Sequence, residues 1–429
     1  MKNILKKIAL SLLILVTIYG VGRFIDVAYG SWEFVTREPY MVMQTKNSIT
    51  IKFQTPQKEI GEVSYATTEN NLTHHLLETI KRKKHTLKLT QLKECTRYFY
   101  SVKSKSLEID NKGRSFTTLC KSNKQQRIWV IGDSGDVTKG QQEVYDSMLD
   151  YIHHDFTQLN MWVLLGDNAY RSGTQAQYNK ALFKPYSELV KRFVPWAVTG
   201  NHDARRWAFY DIWDFPQKGE AGGVPSGSDE YYSIDNGNLH LVMLDSEHPS
   251  LSSDGSMANW LRKDLQANTK PWVVVAFHTP PYTDGGHKSD NSSNSGGRMT
   301  YMRENFVPIF DEFGVDLVLS GHSHGYERSK LMINHLGTSD TFSQKNIVQD
   351  RKTGYTKSLT KKKNSGTIYL ICGSSAKIDV ATLKHPAMPY SFAKLGSLIL
   401  EITPTTLTSK FLTSDDSIAD EFTITKEVP

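Results

Sequence analysis

The sequence predicts an α/β layered core preceded by an all-β sandwich. From about residue 127 onward, short apolar runs of strand length alternate with helical segments, the pattern of an α/β core. From about Trp32 to Thr118 the chain instead alternates apolar and polar residues between short polar breaks, as a sandwich of about 90 residues does. Five of the later runs also end in residues able to bind a metal, which places candidate chemistry at strand ends.

The 429 residues allow two domains, the larger with a full core. With 38% hydrophobic and 22% charged residues the composition is that of a globular protein, neither disordered nor fibrous. The formal charge is +6, of which Lys2, Lys6 and Lys7 near the N-terminus supply three, leaving +3 for the rest. That excess suits anionic substrates but is too small and scattered to indicate nucleic acid. The basic runs Lys81–Lys84 and Lys361–Lys363 lie in polar stretches and read as solvated loops.

Residues 1–30 read as a secretory signal or an uncleaved membrane anchor. The three lysines precede an uncharged run from Ile8 to Gly22, closed by Arg23, which is the layout of an export leader. At 15 residues the run is shorter than an ordinary bilayer span of about 20. Export is therefore expected, with a periplasmic, extracellular or membrane-anchored catalytic part. Of the three cysteines, Cys95 and Cys120 could pair in an oxidising compartment or remain small buried residues. None, Cys372 included, is placed like a ligand or nucleophile.

In the front part, Met41–Thr45, Ser48–Phe53, His85–Leu89, Arg97–Val102 and Gly113–Thr118 read as strands. Residues 31–120 thus form the sandwich, which has no ligand cluster and reads as a structural or positioning module. The polar stretch 121–126 reads as a linker, and 127–429 as the layered domain. Within it, Gln141–His153, Ala176–Phe193, Met257–Leu265 and Met302–Phe313 read as helices. Tyr282–Arg298, rich in Gly, Ser, Asp and Asn, reads as an active-site loop. The polar, basic 334–365 stretch reads as a surface insertion. Ser397–Thr425, rich in Thr and Ile, reads as closing antiparallel strands.

The five strand-end runs are Ile128–Asp133, Met161–Tyr170, Trp196–Asp203, Trp272–His278 and Asp316–His324. Rich in Val, Ile, Leu and Trp, they suit strands buried on both faces. In four, Gly stands directly before the first ligand-type residue, where the chain must turn sharply or approach something closely. Ligands at the carboxyl ends of strands are where open α/β sheets place their sites. Carboxylate, phenolate, amide oxygen and imidazole together suit hard divalent and trivalent cations. A lone Asp after a strand is usually a cap or turn former, and a lone buried His usually just hydrogen-bonded. An ordered set of Asp, Asp-x-x-Tyr, Asn-His, His and His-x-His points to two metals.

The blocks Gly132-Asp133-Ser-Gly135, Gly166-Asp167-Asn-Ala-Tyr170, Gly200-Asn201-His202, Val275-Ala-Phe-His278 and Gly321-His322-Ser-His324-Gly-Tyr326-Glu-Arg328 resemble those of the purple acid phosphatases, within the calcineurin-like metallophosphoesterase superfamily. Asp167-x-x-Tyr170 is the discriminating piece, since the wider superfamily lacks this tyrosine. The resemblance implies a metallophosphoesterase sandwich of two central β-sheets flanked by helices. It also implies a fibronectin type III-like domain in front, as in plant-type members, carried by Leu92–Tyr100 and Phe116–Thr118. It implies that Asp133, Asp167, Tyr170 and His324 bind Fe(III). Asp167 would bridge to a second ion, Zn(II), Mn(II) or Fe(II), held by Asn201, His278 and His322. Two cations about 3.5–4 Å apart can clamp both oxygens of an in-line phosphoryl displacement.

On the same resemblance, His202 would contact the phosphate or protonate the leaving group, and His287 would be a second substrate histidine. Asp203 stands where plant-type members commonly carry Glu, and Asp136 is an additional acid near the first ligand. Tyr326 and Arg328, as packing residues or as support behind the ligands, need no direct catalytic role. The implied activity is hydrolysis of phosphate monoesters of small molecules by metal-activated hydroxide, in an exported acid phosphatase. The alternative is a phosphodiesterase acting on nucleotides or phospholipid headgroups from the same site. A vestigial enzyme that binds a partner through its sandwich conflicts with the presence of all seven ligands. No nucleic-acid partner is expected, and a membrane only through an uncleaved anchor.

Overall fold

The computed structural model describes residues 32–203, 207–360 and 363–427, with positions 6, 11–12, 16–18, 20–22, 25 and 29–30 of the N-terminal segment. The expected leader thus lies largely outside the described residues. Among those described, no helix is long and apolar enough to cross a membrane.

The front part forms two antiparallel sheets. Arg37–Val42, Ile49–Glu59 and Arg82–Leu89 make one; His74–Leu77, Glu62–Ala66, Arg97–Lys103 and Ser115–Thr117, in that order, make the other. Their inward residues, among them Ile51, Phe53, Leu87, Tyr100 and Phe116, are buried, as period-2 alternation requires. The sequence reading missed Glu62–Ala66 and His74–Leu77. Both are short, and the second is an outer strand with no apolar alternation. The basic run at Lys81 is a second correction: Arg82, Lys83 and Lys84 are exposed but open a strand rather than lie in a loop. In the other basic run, residues 361 and 362 lie outside the described residues.

The rest of the chain is built on two seven-stranded sheets. One runs Pro195–Ala197, Met161–Leu164, Gln126–Ile131, Gly396–Ile402, Thr406–Thr413, Ile418–Glu427, Gly354–Ser358. The other runs Tyr232–Asn236, Leu239–Met243, Trp272–Ala276, Leu317–Ser320, Ile368–Cys372, Tyr326–Arg328, Tyr390–Phe392. The three strands of the first sheet that lead to candidate ligands are mutually parallel, as are the two of the second. Alternate residues explain why these strands are apolar throughout. Trp272, Val274, Ala276, Leu317 and Leu319 join Ile128, Val130, Leu398 and Leu400 in one core. Val273, Val275 and Val318 join Met257, Leu261, Phe306 and Phe310 of the covering helices in another. A strand covered on both faces has no polar side to show.

Helices Lys139–Tyr151 and Ser256–Ala267 match their sequence signals to within a few residues. The segment read as one helix from Ala176 to Phe193 is instead broken into Gln175–Tyr178, a π turn Asn179–Phe183 and Ser187–Val190. Pro185 sits at the break, where its ring and missing N–H interrupt the helix. Met302–Phe313 is likewise a π turn followed by Val307–Phe313, with Pro308 in the first turn. The 334–365 stretch is more than a surface insertion. It adds Gly354–Ser358 to the first sheet, and its buried Lys357 lies 2.9 Å from buried Asp316. Its polar composition hid this, because the lysine is accommodated by an acid distant in sequence.

Cys95 and Cys120 form a disulfide, while Cys372 is free and buried. Tyr326 and Arg328 both bond Asp420 in the interior. They are packing residues, in agreement with the sequence reading.

Candidate metal centre

All seven candidate ligands leave the carboxyl ends of parallel strands: Asp133 after Gln126–Ile131, Asp167 and Tyr170 after Met161–Leu164, Asn201 after Pro195–Ala197, His278 after Trp272–Ala276, His322 and His324 after Leu317–Ser320. The turns are tight. Asp133, Asp167 and His322 have φ of 54°, 52° and 69°, and such strain in non-glycine residues gathers at functional sites. Gly166 has φ 88°, and a Cβ there would lie 2.6 Å from His278 Nδ1. At Gly200 a Cβ would lie 2.2 Å from Asp167 Oδ1. These glycines let one strand end close on the next.

The donors gather in two clusters. In the first, Tyr170 Oη is 3.1 Å from Asp133 Oδ1 and 3.3 Å from His324 Nε2, itself 3.5 Å from Asp133 Oδ1. In the second, His278 Nε2 is 3.1 Å from Asn201 Oδ1, 3.2 Å from His322 Nδ1 and 3.5 Å from Asp167 Oδ1. Carboxylate oxygens of Asp133 and Asp167 and a nitrogen of His278 all lie within 4.8 Å of one another, so the clusters adjoin through Asp167.

Each imidazole has its far nitrogen engaged and its near nitrogen turned inward. His278 Nδ1–H donates to Leu165 O at 2.8 Å, His324 Nδ1 meets Asp379 Oδ1 at 2.9 Å, and His322 Nε2 meets Ser295 Oγ at 2.6 Å. This is how metal-binding histidines are oriented. Electrostatics agree. Burial and the charges of Asp133 and Asp167 raise the Tyr170 phenol far above its ordinary range. Burial opposes the charged form of His278, but Asp167 and Asp133 outweigh it and push the imidazole up to about 9. Two buried carboxylates need a positive counter-charge, and with the phenol and amide oxygen beside them they offer hard donors. The donor set fits two metal ions.

Around the clusters, His202 Nδ1–H donates to Arg171 O at 2.7 Å, and its Nε2 stands 3.8 Å from Asp167 Oδ2. His287 stacks on His322 at 3.9 Å between ring centroids, with Nδ1 3.2 Å from Asn294 Oδ1. The Gly-rich loop therefore does come to the site. Asp203 is buried and pushed up to about 6, first by burial and then by Asp167. Asp136 does not join the ligands; its carboxylate is 3.4 Å from Lys377 Nζ.

Several residues at the site carry no sequence signal. Lys377 Nζ lies 3.7 Å from the Tyr170 ring centroid, and Asp379 orients His324. Both come from irregular chain beyond the strand Ile368–Cys372. Ser295 was indistinguishable from its Ser, Gly and Asn neighbours.

Residues 126–326 match the calcineurin-like phosphoesterase family. Purple acid phosphatase 22 of Arabidopsis thaliana is 29% identical over 264 residues, 58% of this chain and 55% of that protein. Purple acid phosphatase 23 of the same plant is 26% identical over 341 residues, 72% of this chain and 68% of that one. The chain spans about half the length of the first curated relatives it matches. A purple acid phosphatase from yellow lupin (Lupinus luteus) seeds shares the fold with a TM-score of 0.71 at 17% identity, covering 91% of this chain and 74% of that structure. Residues 126–326 thus match a calcineurin-like phosphoesterase domain, and the chain is similar to plant purple acid phosphatases in sequence over part of its length and in fold.

Proposed function

We propose that this protein is an exported phosphate monoester hydrolase with a dinuclear metal centre. The observation that carries the reading is Asp167, standing between two clusters of hard-metal donors. Asp133, Asp167, Tyr170 and His324 would hold Fe(III), and Asn201, His278 and His322, with Asp167, would hold Zn(II), Mn(II) or Fe(II). When bound, such ions stabilise developing charge on the phosphoryl group and activate the attacking water.

The chain's own groups supply the proton chemistry. His202 Nδ1–H is committed to Arg171 O, so its Nε2 faces the site. Protonated there, it gives its proton to the departing alcohol oxygen as the P–O bond breaks, and it regains one from solvent. His287, fixed by Asn294 through Nδ1, presents Nε2 to a phosphoryl oxygen. Its ring stacks on His322 with 3.9 Å between centroids, and two histidines beside the donor clusters suit the dianion of a monoester. Export is supported by the leader-like segment and by the Cys95–Cys120 disulfide, a bond that persists in oxidising compartments.

The test compares hydrolysis of a chromogenic phosphate monoester and the matching diester between pH 4 and 8, after reconstitution with iron and zinc or manganese. Monoester turnover peaking in acid and abolished by Asp167→Asn supports the proposal. Diester preference would replace it with a phosphodiesterase at the same site.

A further inference from the structure

Ser295 lies in the Gly-rich loop, outside the ligand set, yet its hydroxyl is 2.6 Å from His322 Nε2. We propose that Ser295 is a positioning residue that fixes the tautomer and orientation of His322 and so sets the affinity of the second metal position.

The loop is built to aim this hydroxyl. Ser295, Gly296 and Gly297 follow one another with φ of 53°, 64° and 82°, and a serine is strained in the left-handed region. Something must hold it there. Arg298 Nη1 donates to Ser295 O at 2.9 Å, and Arg298 Nε is 2.8 Å from Glu247 Oε2. Glu247 is itself buried and accepts the hydroxyl of Thr279, the neighbour of His278, at 2.8 Å. Gly296, at φ 64°, allows the turn because glycine takes the left-handed conformation without strain.

The hydrogen-bond directions follow from the partners. Ser295 Oγ–H donates to Asn294 Oδ1 at 3.2 Å, which leaves the oxygen to accept from His322. His322 therefore carries its proton on Nε2, and the lone pair of Nδ1 points at the second cluster, where His278 Nε2 is 3.2 Å away. Asn294 Oδ1 also faces His287 Nδ1 at 3.2 Å. One short segment thus orients both the ligand and the histidine stacked on it. With Ser295 removed, the buried Nε2–H would lose its acceptor, and the proton could shift to Nδ1, where it blocks metal binding.

This assignment rests on the reading of the site as a metal centre. It is tested on the full chain with Ser295→Ala and Ser295→Gly. Zinc and manganese affinities are measured by chelator competition, and the His322 tautomer in metal-free protein by ¹⁵N NMR. Both variants are expected to bind the second ion about 10–100-fold more weakly. They should also show mixed His322 tautomers and leave the iron–tyrosinate absorption in place. Glycine relieves the left-handed backbone, so weakening in Ala but not Gly would overturn the role of the hydroxyl. Wild-type affinity and tautomer in both variants would overturn it as well. A wild-type chain that takes up no divalent ion would overturn the metal-centre reading and this assignment together.

Discussion

Asp203 and Asn168 tie together two turns that carry candidate ligands. One Asp203 oxygen accepts the backbone N–H of Asn168 at 2.9 Å, its side-chain amide at 2.9 Å and the N–H of Gly200 at 3.2 Å; the other accepts the Tyr178 hydroxyl at 2.6 Å. The turns so joined carry Asp167 and Asn201. Asp203→Ala leaves these buried donors unpaired, and each costs about 1–3 kcal/mol. The expected loss is about 4 kcal/mol or more in denaturant unfolding, with metal affinity reduced on the order of 10–100-fold.

If His202 protonates the leaving group, its removal should matter most where the alcohol leaves poorly. His202→Gln is expected to lower kcat for an alkyl phosphate by about 10²–10⁴-fold, and much less for a nitrophenyl ester, whose oxygen needs no proton. Steady-state kinetics on the two substrates check this.

His385 gives stability a pH dependence unrelated to the metal site. It is 4% exposed, and burial pushes its imidazole down to about 4, against about 6.5 in an unfolded chain. As pH falls from about 6.5 to 4, the unfolded state takes up a proton that the folded state refuses, so stability drops. The contribution is up to about 3 kcal/mol at pH 4 and vanishes above pH 7. His385→Gln should therefore flatten the unfolding free energy between pH 7 and 4 relative to wild type.

The Cys95–Cys120 bridge closes a sequence separation of 25 residues, for which loop entropy gives about 3 kcal/mol. Replacing both cysteines by Ala, or reduction, is expected to lower unfolding free energy by that order while leaving the spectrum of the metal centre unchanged.

The core of the fold and the gathering of the candidate ligands at strand ends were legible in the sequence for one reason. Strands buried on both faces are continuous apolar runs, and the chemistry begins where each run stops, so Gly132-Asp133 or Gly321-His322 marks both an element end and a donor. Helix continuity was less legible, because Pro185 and Pro308 act locally within otherwise helical patterns. Lys357 lay in a stretch read as a surface insertion, and Lys377 carried no signal. Their roles depend on Asp316 and Tyr170, partners that only the sheet topology brings near. Ser295 and Asp379 support histidines from loops whose composition says nothing about direction.

The most direct test of the central claim is metal stoichiometry by elemental analysis, with the visible spectrum recorded on the same samples. Wild-type protein should hold two metal ions per chain and absorb in the visible. Tyr170→Phe should lose the absorption, and Asp167→Ala should retain at most one ion. A wild-type chain free of metal, or Asp167→Ala holding two ions as tightly as wild type, would contradict a dinuclear centre joined through Asp167.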